Sequence, residues 1–383
     1  MANDTRVETP TDAGPRPGRL SYGRSRLLLG ISGVGFWVVL SVLVLVLGLP
    51  DRLDTSRTGG LGSILLMAAA VVLLQTPFDL LGGLILPKQH GRLSASSGRV
   101  LTGWLRGVIG YFVLYGSIGV IMMLAGRAAG WIGPVLVGVS ACILLLACRT
   151  LIARVLGGLK AVEQTDLGRD VRVLSSSDMG FTGGIAGLIR PTRILVPERW
   201  IARLDPRLFD LAIRRRRAAA ESGLWERGRL VAVGFTVAGL VLAGGVARDN
   251  SGTAGGVLEF ASVFTLWSFV GLLVLPTLSR AASHEVDRRI VENGAEPSDL
   301  RSLASALDAM QDDEPARPGM IEAIFHPIPS VSSRDRGPRP CSLAAWNAAR
   351  TSAYLGLAGL SPLGRAVHCN SGRPALWVYL PSD

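Results

Sequence analysis

Four histidines and four cysteines carry most of the metal and nucleophile chemistry open to this chain of 383 residues. They are His90, His284, His326 and His368, with Cys142, Cys148, Cys341 and Cys369. A zinc site asks for three or four such donors at short recurring spacings, such as Cys-x-x-Cys or His-Glu-x-x-His. Neither spacing occurs. His368 and Cys369 are adjacent, and neighbours in sequence rarely serve one ion, so AVHCNSGRPALWVYLP reads as a packed or solvated tail with no metal. There is no Gly-x-Ser-x-Gly elbow, and Ser175–Asp178 (SSSD) reads as a turn. Asp79 and Glu259 stand inside apolar runs, where a carboxylate is costly and often functional. Both lie toward the ends of their runs, where snorkelling or capping is expected. What remains is a block of four arginines, Arg214–Arg217, whose guanidinium groups stay protonated and offer a metal no lone pair.

The elements that would position these residues are membrane helices. Hydrophobic residues make up 49% of the chain, charged ones only 18%, and the mean hydropathy is +0.38. A soluble protein of this length rarely combines these values, and the apolar residues are clustered. A spanning helix needs about 20 mostly apolar residues. Six segments meet that need: 27–49, 61–86, 107–125, 131–148, 230–246 and 255–276. The net charge of +11 is unevenly spread. Loops after the first, third and fifth segments hold only Arg52, Arg57, Arg127 and Arg248, so the positive-inside rule places both termini in the cytoplasm. Aromatics at 6% and the lack of a nucleic-acid motif argue against nucleic acid as the partner of the positive charge.

The chain divides accordingly. Residues 1–26 form a Pro-rich, disordered tail; 27–148 hold four spans; 149–229 are polar; 230–276 hold two more spans; 277–383 return to the polar side. Within 149–229 the pattern gives a helix over 150–164, a strand over 171–174, a Gly-rich edge strand over 181–189, a turn at Arg190-Pro191-Thr192 and a strand over 194–196. Two helices follow, broken at Leu204-Asp205-Pro206, where Asp205 suits an N-cap and Pro206 the first helical position. The fold class is mainly α: a polytopic membrane protein with a small α+β domain assembled from the two polar segments.

This order resembles the membrane-bound zinc metallopeptidases of the CAAX prenyl protease and HtpX type. The phrase RILVPERWIARLDPRLFDLAI is similar to the strand and helix that precede that family's His-Glu-x-x-His helix. Pro77-Phe78-Asp79-Leu80 with Gly91, Ser279-Arg280 before Asp287, and His326-Pro327 with Arg334 resemble three further family elements in the same order. The resemblance spans about residues 60–335 and implies a zincin-like domain with a zinc ion in active members. It also implies where the chemistry should sit: ligands near 215 and 219, a general base near 216, and a third ligand four residues before Asp287. This chain has Arg215, Arg216, Ala219 and Ser283 there. Glu285 cannot stand in for Ser283, because two residues turn a helix by about 200°. The reading is therefore a catalytically inactive relative without zinc.

Such a relative would act by binding a membrane protein or an extended peptide. The resemblance makes Phe181, Thr182, Gly183 and Gly184 the strand edge for a peptide, with Asp287, His326 and Arg334 as cleft residues; a flexible glycine loop is the competing reading. Arg214, Arg215, Arg216 and Arg217 point in every direction around a helix, and beside a span their expected partners are anionic lipid headgroups. The alternatives are a transport or scaffold protein unrelated to peptidases and, further off, an active metallopeptidase with a non-standard site. The tail after Arg334 holds Trp346, Trp377 and an apolar patch, 353–360, that is too short to span and is expected to lie on the membrane or pack on the domain.

Overall fold

A computed structural model describes residues 20–54, 59–93, 95–164, 167–187, 192–334 and 342–381. The 190–191 part of the expected turn, Cys341 and residues 1–19 lie outside them. Five long helices and one bent pair account for the six apolar segments. Helix α1 (Tyr22–Val46) is capped by the Ser21 hydroxyl, which accepts from the Arg24 amide, so the helix starts earlier than the apolar run at 27. A short α2 (Leu49–Asp54) leads to α3 (Gly59–Leu80), which passes through a π-helical turn at Leu81–Ile85 into α4 (Leu86–Gln89). Then come α5 (Ser97–Ala129) and α6 (Ile132–Ala147), the latter meeting α7 (Arg149–Val155) at a bend of 78°. Leucines and valines on the outer faces of these helices stay exposed, Leu73 and Val46 among them, as they do when hydrocarbon is the solvent.

The polar segment after α7 departs from expectation at its start. Helix α7 ends at Val155, and Gly158, at φ +65°, turns the chain so that β1 (Lys160–Val162) runs antiparallel to β2 (Val171–Ser175). Strands β3 (Gly184–Ala186) and β4 (Arg193–Pro197) complete a sheet of order β1-β2-β4-β3, with β2 and β4 parallel. Strand β3 thus holds the edge, beginning at Gly184 and not at 181; residues 188–189 of the expected strand lie outside the described residues. Helices α8 (Glu198–Arg203) and α9 (Pro206–Glu221) follow as expected, and the Asp205 carboxylate accepts from the Arg207 amide at 2.8 Å.

Helix α10 (Leu224–Val246) returns through the membrane and α11 (Ala254–Glu292) comes back. At about 1.5 Å per residue, the 39 residues of α11 reach about 58 Å, roughly twice the hydrocarbon thickness. Its second half therefore projects into the polar domain and delivers Ser283 and Asp287 there. Ala282 and Val286 pack with Ala219, Phe209 and Leu211 of α9, with Val173 and Val196 of the sheet, and with Leu303 of α12 (Pro297–Met310). Two short helices, α13 (Gly319–Phe325) and α14 (Val331–Arg334), close this domain.

The tail does not lie on the membrane, and only its start, at Ala344 and Trp346, packs in the core of the polar domain. The rest fills the inside of the bundle. From Ala344 to Pro381 no residue is exposed. The segment folds as α15 (Ala348–Leu355), a 3-10 turn at Gly356–Gly359, α16 (Leu363–Ala366) and α17 (Pro374–Val378), and it touches α1, α3, α5, α6, α10 and α11. The patch 353–360 is too short to span but sits in the core beside Phe264 and Leu145. Entry is possible because the wall carries small residues: a Cβ on Gly83 would come within 2.2 Å of the Gly372 carbonyl, and one on Gly30 within 2.5 Å of the His368 amide.

Candidate functional site

The site implied by the sequence lies where α9 passes between the sheet and α11. The amphipathic pattern of α9 turns Leu211, Ala212 and Ala219 into the domain core, and the same rotation carries Arg215 and Arg216 inward. They are 2% and 1% exposed, which overturns the expectation that the whole block meets lipid headgroups. Charges buried this deeply must be paired. Arg215 Nε donates to Asp287 Oδ1 at 2.8 Å, and its Nη2 lies 2.7 Å from the same oxygen. The other Asp287 oxygen accepts from Arg334 Nη1. Arg216 Nη2 donates to the Thr182 carbonyl at 2.6 Å and Nη1 to the Leu195 carbonyl, while the guanidinium lies 4.7 Å from the centre of the Trp200 ring.

Only the outer two arginines face outward. Arg217 grips Asp170 through Nε at 2.8 Å and Nη2 at 3.0 Å, and this hydrogen bonding holds the Asp170 carboxyl below its usual range. Arg214 pairs with Asp210 one turn back at 2.8 Å.

Of the cleft residues, Asp287 and Arg334 come together, while the His326 ring lies against His368. Asp287 and Arg334 share an ion pair, and Ser283 is buried one turn before Asp287. Arg280 Nη1 donates to the carbonyls of Glu322 and His326, each at 2.7 Å, tying the Ser279-Arg280 phrase to His326-Pro327. Phe181, Thr182, Gly183 and Gly184 are all buried. Gly183, at φ +81°, lies so close to β4 that a Cβ would meet the Leu195 carbonyl at 2.0 Å. The segment leads into the edge strand, as expected, but the edge is covered. Ser175–Asp178 is the expected turn: Ser176 Oγ accepts from the Asp178 amide at 3.1 Å.

Asp79 is the residue most underrated by the sequence. It is 1% exposed and does not snorkel. Its carboxylate pairs with Arg365 of the tail and accepts from Trp104 Nε1 at 3.1 Å, Gln75 Nε2 at 3.2 Å and the Gly372 amide at 3.0 Å. Beside the π turn, Ser371 Oγ donates to the Phe78 carbonyl at 2.9 Å. Arg365 is flanked by Tyr111 and Trp377, at 4.2 and 4.4 Å from the ring centres. The available signal was the pairing of an intramembrane acid with an arginine in an otherwise apolar tail. Glu259, by contrast, stays partly exposed near the start of α11, as its position in the run implies.

This architecture has a counterpart among solved structures. The crystal structure of S. mikatae Ste24p superposes with a TM-score of 0.60 over 84% of this chain and 99% of that one, at 10% identity. The scaffold is the Ste24p fold. Ste24p is a CAAX prenyl protease, a zinc metallopeptidase, and at this identity the likeness to it is one of fold. It extends well beyond the quoted phrases, over a multi-pass membrane protein of mainly helical class. No protein-family model matches the sequence, and no curated protein matches it. On this Ste24p-like frame, the positions that the resemblance assigns to zinc ligands and base hold two guanidiniums, a methyl group and a hydroxyl.

Proposed function

We propose that this protein is a membrane-embedded zinc-peptidase homologue that has lost catalysis and acts by binding a membrane protein or an extended peptide. Arg215 carries the reading. A permanent cation, committed to Asp287, stands where the first zinc ligand is expected, and a second, Arg216, stands at the general base. None of Arg215, Arg216 and Ala219 offers a metal a lone pair, so α9 supplies neither ligand nor base, and neither water activation nor carbonyl polarisation is available there. The tail supports the same reading, since it occupies the interior of the bundle. Strand β3 with residues 181–184 remains the binding edge in this proposal, and an extended ligand must displace what covers it. Both termini and the sheet domain are assigned to the cytoplasm on the charge bias.

The test uses the full chain purified in detergent. A panel of labelled extended peptides should show saturable binding and no cleavage. Chelator-sensitive turnover would overturn the inactive reading. A lack of binding across the panel, with no membrane protein recovered by in-cell crosslinking, would overturn the binding role.

A further inference from the structure

The polar domain and the buried tail meet at a second cluster that the α9–α11 site does not include. His368, from the turn after α16, faces His326, from the loop after α13, with ring centres 4.9 Å apart. Asp312, after α12, completes the group: one donor atom from each of the three lies within 4.8 Å of the others. Both imidazoles are more than nine-tenths buried, and the Nε2 atom of each is buried without a hydrogen-bond partner. Two orphaned ring nitrogens side by side are expensive unless something fills the space between them. A hollow of about 30 Å³ adjoins His326, walled also by Asp312, Cys369, Arg317, Arg334, Arg350 and Arg373; it has room for an ion or a water.

We propose that Asp312, His326 and His368 form a divalent metal site, taking zinc or a similar imidazole-preferring ion, which staples the buried tail to the polar domain. Two imidazoles and one carboxylate are a common zinc donor set, with a fourth position left for water. Tetrahedral zinc bonds of about 2.0–2.1 Å place the donors about 3.3 Å apart, so the three side chains close on the ion by about 1 Å. The Nε2 of each ring, committed to no hydrogen bond, is the atom that supplies the lone pair.

The neighbouring cations set the selectivity. Arg26 is held by the Tyr22 hydroxyl and the Gly82 and His368 carbonyls, Arg350 by Cys369, and Arg317 by Asp308 and Asp312. Their field opposes weakly held hard ions such as Mg²⁺ or Ca²⁺ and admits only an ion whose bonds to imidazole are strong. The site is separate from the α9 positions and does not depend on the binding role proposed above.

The experiment is metal analysis of the full-length protein in detergent after exposure to micromolar zinc and desalting, followed by Co²⁺ substitution. About one equivalent of zinc, and a cobalt d–d spectrum of imidazole–carboxylate type, are expected. His368→Gln and His326→Gln should each lose the bound metal, while Arg214→Ala retains it. If a histidine variant does not fold, the wild-type chain still decides the matter through the cobalt spectrum and through zinc-dependent protection of residues 342–381 from proteolysis. A wild-type chain that binds no metal, or metal retained in both histidine variants, overturns the proposal.

Discussion

Arg215 and Asp287 meet through a single carboxylate oxygen, 2.8 Å from Nε and 2.7 Å from Nη2, and this leaves the second oxygen free for Arg334. One aspartate thus neutralises two guanidiniums from α9 and α14. Replacing Asp287 with alanine strands both charges in a nearly dry site. Breaking a buried pair in this way costs about 3–5 kcal/mol. The Asp287→Ala protein should unfold at a markedly lower denaturant concentration, whereas Arg215→Met combined with Asp287→Leu, which leaves only Arg334 without its partner, should recover part of the loss. An unchanged midpoint for Asp287→Ala would show that the pair carries no weight.

The four arginines should separate into two classes. Arg214→Ala removes an exposed pair with Asp210 and should change stability by no more than about 0.5 kcal/mol. Arg216→Ala abandons the Thr182 and Leu195 carbonyls inside the sheet, and each lost charge-assisted bond is worth about 1.5–3 kcal/mol. Lysine should not rescue it, because an ammonium lacks the planar fork that spans two carbonyls and stacks on Trp200. Hydrogen exchange at β3 and β4 is the readout. Equal protection in the Arg214 and Arg216 variants would contradict the assignment.

The contrast within this block shows what the sequence could tell. Helical periodicity located α9, the Asp205 cap marked its start, and the six apolar runs anticipated the spans. Those signals are local. Which two of four arginines turn inward is set by the rotation of α9 against α11, and their acceptors lie 21, 34 and 72 residues away. The tail was misjudged for a similar reason. The shortness of the 353–360 patch excluded a span, but nothing in a one-dimensional pattern distinguishes a short apolar segment on a membrane from one packed inside a bundle. Asp79 and Arg365 are 286 residues apart, so the pair becomes visible only when the chain closes on itself.

That long-range pair should govern whether the tail stays inside. Asp79→Ala removes the acceptor of Arg365, Trp104 and the Gly372 amide together. Limited proteolysis should then cut residues 342–381 at protease levels that leave the wild-type protein intact. Asp79→Asn retains an acceptor but not the charge, and it should give an intermediate rate, since Arg365 keeps its two aromatic faces but loses its counter-ion. Wild-type protection in the Asp79→Ala protein would mean that apolar packing alone holds the tail.

Acid should loosen the same tail from its other anchor. Arg373 grips Asp178 through Nε at 2.7 Å and a second contact from Nη2, and the Gly180 amide donates to the carboxylate at 2.8 Å. Burial alone would raise the Asp178 carboxyl, but the attraction of Arg373 and its hydrogen bonds outweigh it and hold the group below its ordinary range. A depressed carboxylate binds its proton less readily folded than unfolded. Its contribution is therefore fully present above the unfolded value, about 3.9, and is lost as pH falls through the lower folded value. Release of the tail, followed as proteolytic or hydroxyl-radical accessibility of 372–381, should begin below about pH 4 in the wild-type protein. In Asp178→Asn the tail should already be more accessible at neutral pH, and that accessibility should change less with acid. If the two proteins follow the same pH profile, the Asp178–Arg373 pair does not hold the tail.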